Sequence, residues 1–232
     1  MPAHVTLSSE LHDWRTPPWF LDLVRGVGPI VLDPATSPDN PTRADTFFAP
    51  GLTSASEGRH LGECGLRGDW SRVGLAFINP PYGRYLSGPV EPDYVMTQKC
   101  PSCLGDGFVA PIAHHDLWTP ETRLCHACGS SGREVIGHGR GWAARIAQDR
   151  GEWITLVPVR TETDWWGTLL DASDRCLLWG SKEHGKRINF VDPRTGKEKK
   201  GSNLASCVFY RGPQVDLFCD VFGEHGRLIM EV

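Results

Sequence analysis

Long apolar runs are missing from this chain: nowhere in its 232 residues is there a stretch approaching a membrane span, which excludes a spanning helix. The opening residues, MPAHVTLSSELHDW, lack a basic start followed by an apolar core, so no secretory leader is expected and the chain reads as cytoplasmic. Surplus positive charge is also missing. Lys and Arg number 24 against 28 Asp and Glu, a net charge of -4, so bulk charge does not hold this protein to nucleic acid, and such a partner needs a local basic face. No internal repeat is evident. What is present is a globular composition, 40% hydrophobic and 22% charged with 9 Trp along the chain, long enough for an α/β domain with an accessory module or for two compact halves.

Thr16 and Pro17 followed by Trp19, Phe20, Leu23 and Val24 predict an N-cap, a first-turn proline and an apolar helical face. Residues 29–34 (PIVLDP) predict a buried strand ending at Asp33, residues 37–72 an irregular stretch, and residues 73–78 a second strand running into Asn79-Pro80-Pro81-Tyr82-Gly83. Between about 88 and 137 glycine, cysteine and histidine rise while apolar periodicity fades, the mark of an inserted module. Beyond it come a helix over 142–150, a strand over 153–159 and a helix capped by Thr163 that carries Trp165, Trp166, Leu169 and Leu170. Short strands follow at 175–179, 187–191, 204–210 and 227–232. Strand and helix alternating before a strand-rich end predict an α/β fold, a mostly parallel sheet with antiparallel edge strands.

Residues 79–83 carry the sharpest chemistry. Asn79 supplies an amide oxygen, and the two prolines after it fix the backbone so that the Pro80 carbonyl is presented nearby. An exocyclic amino group on a nucleobase is a poor nucleophile because its lone pair is delocalised into the ring. Accepting both of its N–H hydrogens, at Asn79 and at Pro80, favours a pyramidal nitrogen able to attack a methyl donor. Tyr82 offers a stacking face for a base that has left the duplex, and Gly83 permits close approach. A Pro-Pro turn after a buried strand is the plainer alternative.

Asp13-Trp14-Arg15-Thr16-Pro17, Leu32-Asp33-Pro34-Ala35, Gly68-Asp69-Trp70, Asn79 to Gly83 and the segment from Val157 to Trp166 together resemble the phage-type DNA N6-adenine methyltransferase (Dam) family, in order and spacing, over most of the chain outside 88–137. The resemblance implies a Rossmann-like S-adenosylmethionine-dependent methyltransferase with a mixed sheet, acting on double-stranded DNA in a bacterial or phage-infected cell. It implies catalytic Asn79, Pro80, Pro81 and Tyr82, and cofactor-binding Trp14, Thr16, Pro17, Asp33, Ala35 and Asp69. Substrate contacts fall to Tyr82, Gly83, Arg160, Asp164 and Arg187. One departure is the loop after the first strand, Ala35-Thr36-Ser37-Pro38, which is not glycine-rich. Asp33 and Asp69 also read as turn residues, and Thr163 with Asp164 as an ordinary helix start. Alternatives are another amino acceptor (cytosine N4, RNA adenine or protein glutamine) and an inactive zinc-dependent DNA-binding protein.

Eight cysteines in an intracellular chain point to metal or catalysis rather than disulfides. Cys100, Cys103, Cys125 and Cys128 form two CxxC pairs, each able to chelate one tetrahedral ion, so a structural four-thiolate zinc site is expected in a ribbon-like module at 88–137, inserted in a core of 1–87 and 138–232. A redox CxxC, a stability clip and a protein-docking knob are the other readings. Residues 182–200 hold seven basic side chains against three acidic, an excess that can track phosphates or decorate a solvated hairpin.

Overall fold

The computed structural model describes residues 14–50, 58–62, 65–66, 68–82, 86, 141–199 and 205–229, with four short strands between 95 and 138. The chain divides into two compact units, Met1–Gly88 with Gly141–Val232, and Pro89–Arg140. In the smaller unit β5 (Val95–Lys99) pairs antiparallel with β8 (Arg133–His138), and β6 (Phe108–Val109) with β7 (Arg123–Leu124). Cys100, Cys103, Cys125 and Cys128 lie outside the described residues, as does Gly83.

The larger unit is α/β. Its strands are β1 (Ile30–Asp33), β2 (Thr46–Phe48), β3 (Arg59–Gly62), β4 (Leu75–Ile78), β9 (Trp153–Pro158), β10 (Arg175–Trp179), β11 (Ser206–Arg211) and β12 (Gly226–Ile229). They form one sheet in the order β12-β10-β11-β9-β4-β1-β2-β3. The five strands from β9 to β3 are parallel, while β11 runs antiparallel to β9 and to β10, and β12 antiparallel to β10. Two reversals leave β10 pointing the same way as β9 and β4, so the segment leaving Trp179 starts at the sheet edge where β4 ends.

Four α-helices are described: α1 (Pro18–Val27), α2 (Trp142–Gln148), α3 (Asp164–Ala172) and α4 (Val215–Phe222). Phe20, Leu21, Val24 and Val27 of α1, with Phe218 and Phe222 of α4, bury one sheet face carrying Leu75, Phe77, Ile154, Leu156 and Tyr210. On α3, Trp166 meets Phe209 edge-on with centroids 5.4 Å apart. Strands covered on both faces read as continuous apolar runs, and β4 and β9 are buried at every position. Each fully buried aromatic or leucine contributes about 1.5–3 kcal/mol. Among the described residues no helix is long and apolar enough to cross a membrane.

Three expectations are corrected. The stretch 37–72 is not irregular throughout, because β2 and β3 extend the parallel sheet; strands of three and four residues are too short for an alternation pattern to register. Residues 187–191 form no sheet strand: Ile188 is fully buried in the core, and only Val191 makes bridges, to Arg15 and Glu198. Thr16 does not cap α1, whose N-cap is Pro17 without a side-chain bond. Helix α4 was not anticipated, although Val215, Phe218, Cys219 and Phe222 follow the i, i+3, i+4, i+7 spacing.

Candidate functional site

From β1 the sheet grows one way through β2 and β3, and from β4 the other way through β9. The carboxyl ends of β1 and β4 therefore flank a topological switch point, where open α/β sheets hold their ligands. Asp33 closes β1, and Asn79 follows directly on β4. Pro80 and Pro81 have no N–H to donate, so the ladder stops there, and the carbonyl of Ile78 instead accepts a 2.9 Å bond from the Thr155 hydroxyl.

Around Asn79 a small polar network is closed. Its Nδ2 donates to Thr16 Oγ1 at 3.0 Å, and its Oδ1 accepts from the Tyr82 hydroxyl at 2.6 Å. The Leu156 carbonyl stands 3.4 Å from the same hydroxyl. Burial pushes the Tyr82 phenol well above its ordinary range, so it stays neutral and able to donate. Phe190 packs edge-on against the Tyr82 ring, with centroids 6.3 Å apart. Thr16 itself is buried, and its neighbour Arg15 exchanges two backbone bonds with Val191, of 3.0 and 2.9 Å. Val191 in turn bridges to Glu198, and the Lys199 ammonium lies 4.7 Å from the centre of the Trp14 ring. Segments 14–16, 79–82 and 190–199 thus converge on the end of β4.

Asp33 sits at the switch point but faces inward. It is 3% exposed, with Oδ1 accepting from the Ala35 amide at 3.0 Å and Oδ2 from the Thr42 hydroxyl at 2.8 Å. Burial pushes its carboxyl up from 3.8 to about 6, against the lowering effect of those hydrogen bonds. Asp33 and Ala35 therefore organise the loop from 34 to 44. Asp69 is not brought to the cluster. It is exposed, takes 2.9 and 2.6 Å bonds from the amide and hydroxyl of Ser71 that hold its carboxyl below the usual range, and shares a polar recess with Arg72, Asp149 and Gly151 beside the start of β9. Pro17 continues Thr16 into α1, and Pro81 is half-buried between Pro80 and Tyr82.

Arg160 and Asp164 follow β9, at the same sheet edge as Asn79, and both are exposed or nearly so. Arg160 pairs with Glu162 at 3.3 Å, and its carbonyl accepts from Thr163 Oγ1 at 2.7 Å, so Thr163 is the N-cap residue of α3, as expected, but its hydroxyl closes the preceding turn instead of bonding a first-turn amide. Arg187 is exposed in the segment leaving β10. Residues that the sequence did not single out are Phe190 and Val191. Their apolar run reads as strand, and nothing local marks a backbone pairing with a segment so distant in sequence.

The cofactor expectation is corrected. Among the described residues no group of three or more His, Cys, Asp or Glu side chains could hold a metal ion. The four cysteines of the expected zinc site lie outside those residues, and no metal is assigned to the protein. The side chains expected to meet a methyl donor are not brought together: Asp33 is buried against Ala35 and Thr42, Thr16 bonds Asn79, and Asp69 lies in the recess beside the start of β9. The chain matches no family model, and neither a curated protein nor a solved structure matches it.

Proposed function

We propose that this chain is an amino methyltransferase of the Rossmann-like class, acting on the N6 amino group of a flipped adenine in DNA. One observation carries the reading: an asparagine amide oxygen is held at the carboxyl end of a central parallel strand, at the switch point, with a Pro-Pro backbone after it and Tyr82 against it. The amide oxygen has two lone pairs, so it accepts from Tyr82 and has capacity for one amino hydrogen. The Pro80 carbonyl would accept a hydrogen bond from the other N–H, leaving the lone pair on a pyramidal nitrogen; a sulfonium donor would supply the methyl group, its carbon–sulfur bond breaking as the thioether leaves and one amino proton passing to solvent. Tyr82 stacks on the extruded base.

The segment after β10 supports a nucleic-acid acceptor. Lys182, Lys186, Arg194 and Lys197 are exposed on a stretch tied to the site through Phe190 and Val191. Replacing Lys186 and Lys197 together by Gln should weaken duplex binding and reduce the slope of log K against log salt by about two. An unchanged slope in a binding titration removes this segment from the interface.

The deciding experiment incubates purified protein with labelled S-adenosylmethionine and unmethylated duplex DNA, then digests the DNA to nucleosides. N6-methyladenine supports the reading. N4-methylcytosine, or transfer only to RNA or protein, reassigns the acceptor, and absence of transfer to all of these rejects it.

A further inference from the structure

The geometry points to Thr16 as the positioning residue for the Asn79 amide, held there by the two-bond bridge between Arg15 and Val191; the inference rests on the amino-acceptor reading above. An asparagine side chain donates at one end and accepts at the other, and a half-turn of its last bond exchanges the ends with almost no change of shape. An amino acceptor brings N–H groups, so the productive orientation turns Oδ1 toward the substrate and Nδ2 inward. The inward Nδ2 then needs an acceptor, and Thr16 Oγ1 lies 3.0 Å away.

Tyr82 and Thr16 hold the amide from its two ends. Both hydroxyls can donate or accept, and as placed Tyr82 donates to Oδ1, with the Leu156 carbonyl 3.4 Å away, while Thr16 accepts from Nδ2. Without the Thr16 oxygen, the productive orientation leaves an N–H unpaired and the amide loses the partner that fixes its inner end. Thr16 is well held for this role. Backbone bonds to Val191 fix the residue before it, the Arg15 guanidinium pairs with Asp39 at 2.7 Å, and Pro17 and Pro18 fix φ after it. Its hydroxyl is not spent on capping α1, which has no side-chain cap.

Thr16→Val keeps the shape and removes the oxygen, while Thr16→Ser restores it. The expected result is a 10- to 100-fold fall in kcat for Thr16→Val, by about the effect of a misplaced catalytic group, with KM for methyl donor and DNA within about twofold and recovery in Thr16→Ser. Wild-type kcat in Thr16→Val, or a raised donor KM at unchanged kcat, overturns the assignment. A second readout does not depend on turnover. In protein carrying 15N-asparagine, the side-chain amide pair that disappears in Asn79→Asp should shift and exchange faster in Thr16→Val and return in Thr16→Ser. If Thr16→Val fails to fold, Thr16→Ala takes its place in both measurements. Absence of methyl transfer in the wild type removes the amino-acceptor reading alone, because the amide spectrum still decides whether Thr16 holds Asn79; an identical pair in wild type and Thr16→Val overturns the inference.

Discussion

Asn79→Ala should lower methyl transfer by about 10²- to 10³-fold, in line with the loss of a single preorganised hydrogen-bonding group aimed at developing charge. The variant loses the oxygen that accepts the amino hydrogen, while the Tyr82 hydroxyl keeps the Leu156 carbonyl as a partner. Asn79 is half-exposed at the end of β4 rather than in the core, so its truncation should cost about 1 kcal/mol or less in denaturant unfolding. Activity and stability thus separate at this position. Asn79→Asp sharpens the test, because a carboxylate still accepts and Thr16 can become the donor, so activity should fall between wild type and Asn79→Ala. Asn79→Ala retaining a tenth or more of wild-type kcat would exclude the mechanism.

The parts of this fold that were legible in the sequence are those with local signatures. The run LAFI ahead of two prolines announced β4 and its abrupt end, and α1 and α3 announced themselves through tryptophan and leucine at helical spacing. Asn79, Tyr82 and Thr16 were each named from their residue types. Their mutual bonds were not, because Thr16 and Asn79 are far apart in sequence and meet only where the segment leading into α1 reaches the end of β4. Placement next to Pro17 suggests helix capping for Thr16, and the family resemblance implies a cofactor contact, yet its hydroxyl meets Asn79. Asp33 shows the opposite limit. A carboxylate at a strand end looks like a ligand group, and only the positions of Ala35 and Thr42 reveal that its oxygens accept bonds from its own loop.

Asp33→Asn should stabilise the protein at neutral pH and remove a pH dependence. The folded-state carboxyl is raised from 3.8 to about 6, so the folded state binds a proton more tightly than the unfolded chain does. Its stabilising contribution is fully present below about pH 4 and is lost as pH rises through about 6, a change of about 3 kcal/mol for a rise of that size. Asparagine fits the same network. Its oxygen can accept from the Ala35 amide, its Nδ2 can donate to Thr42 Oγ1, and the Thr42 proton passes to Asn40 Oδ1, already 3.2 Å away. In urea unfolding the variant and wild type should be nearly equal near pH 4 and diverge by up to about 3 kcal/mol by pH 7.5, with the variant more stable. A stability difference that does not change across this range would show that Asp33 is not the titrating group. If the more stable variant also loses methyl transfer, the negative charge at the end of β1 is required for activity at a cost in stability, since the loop it organises is held equally well by the amide.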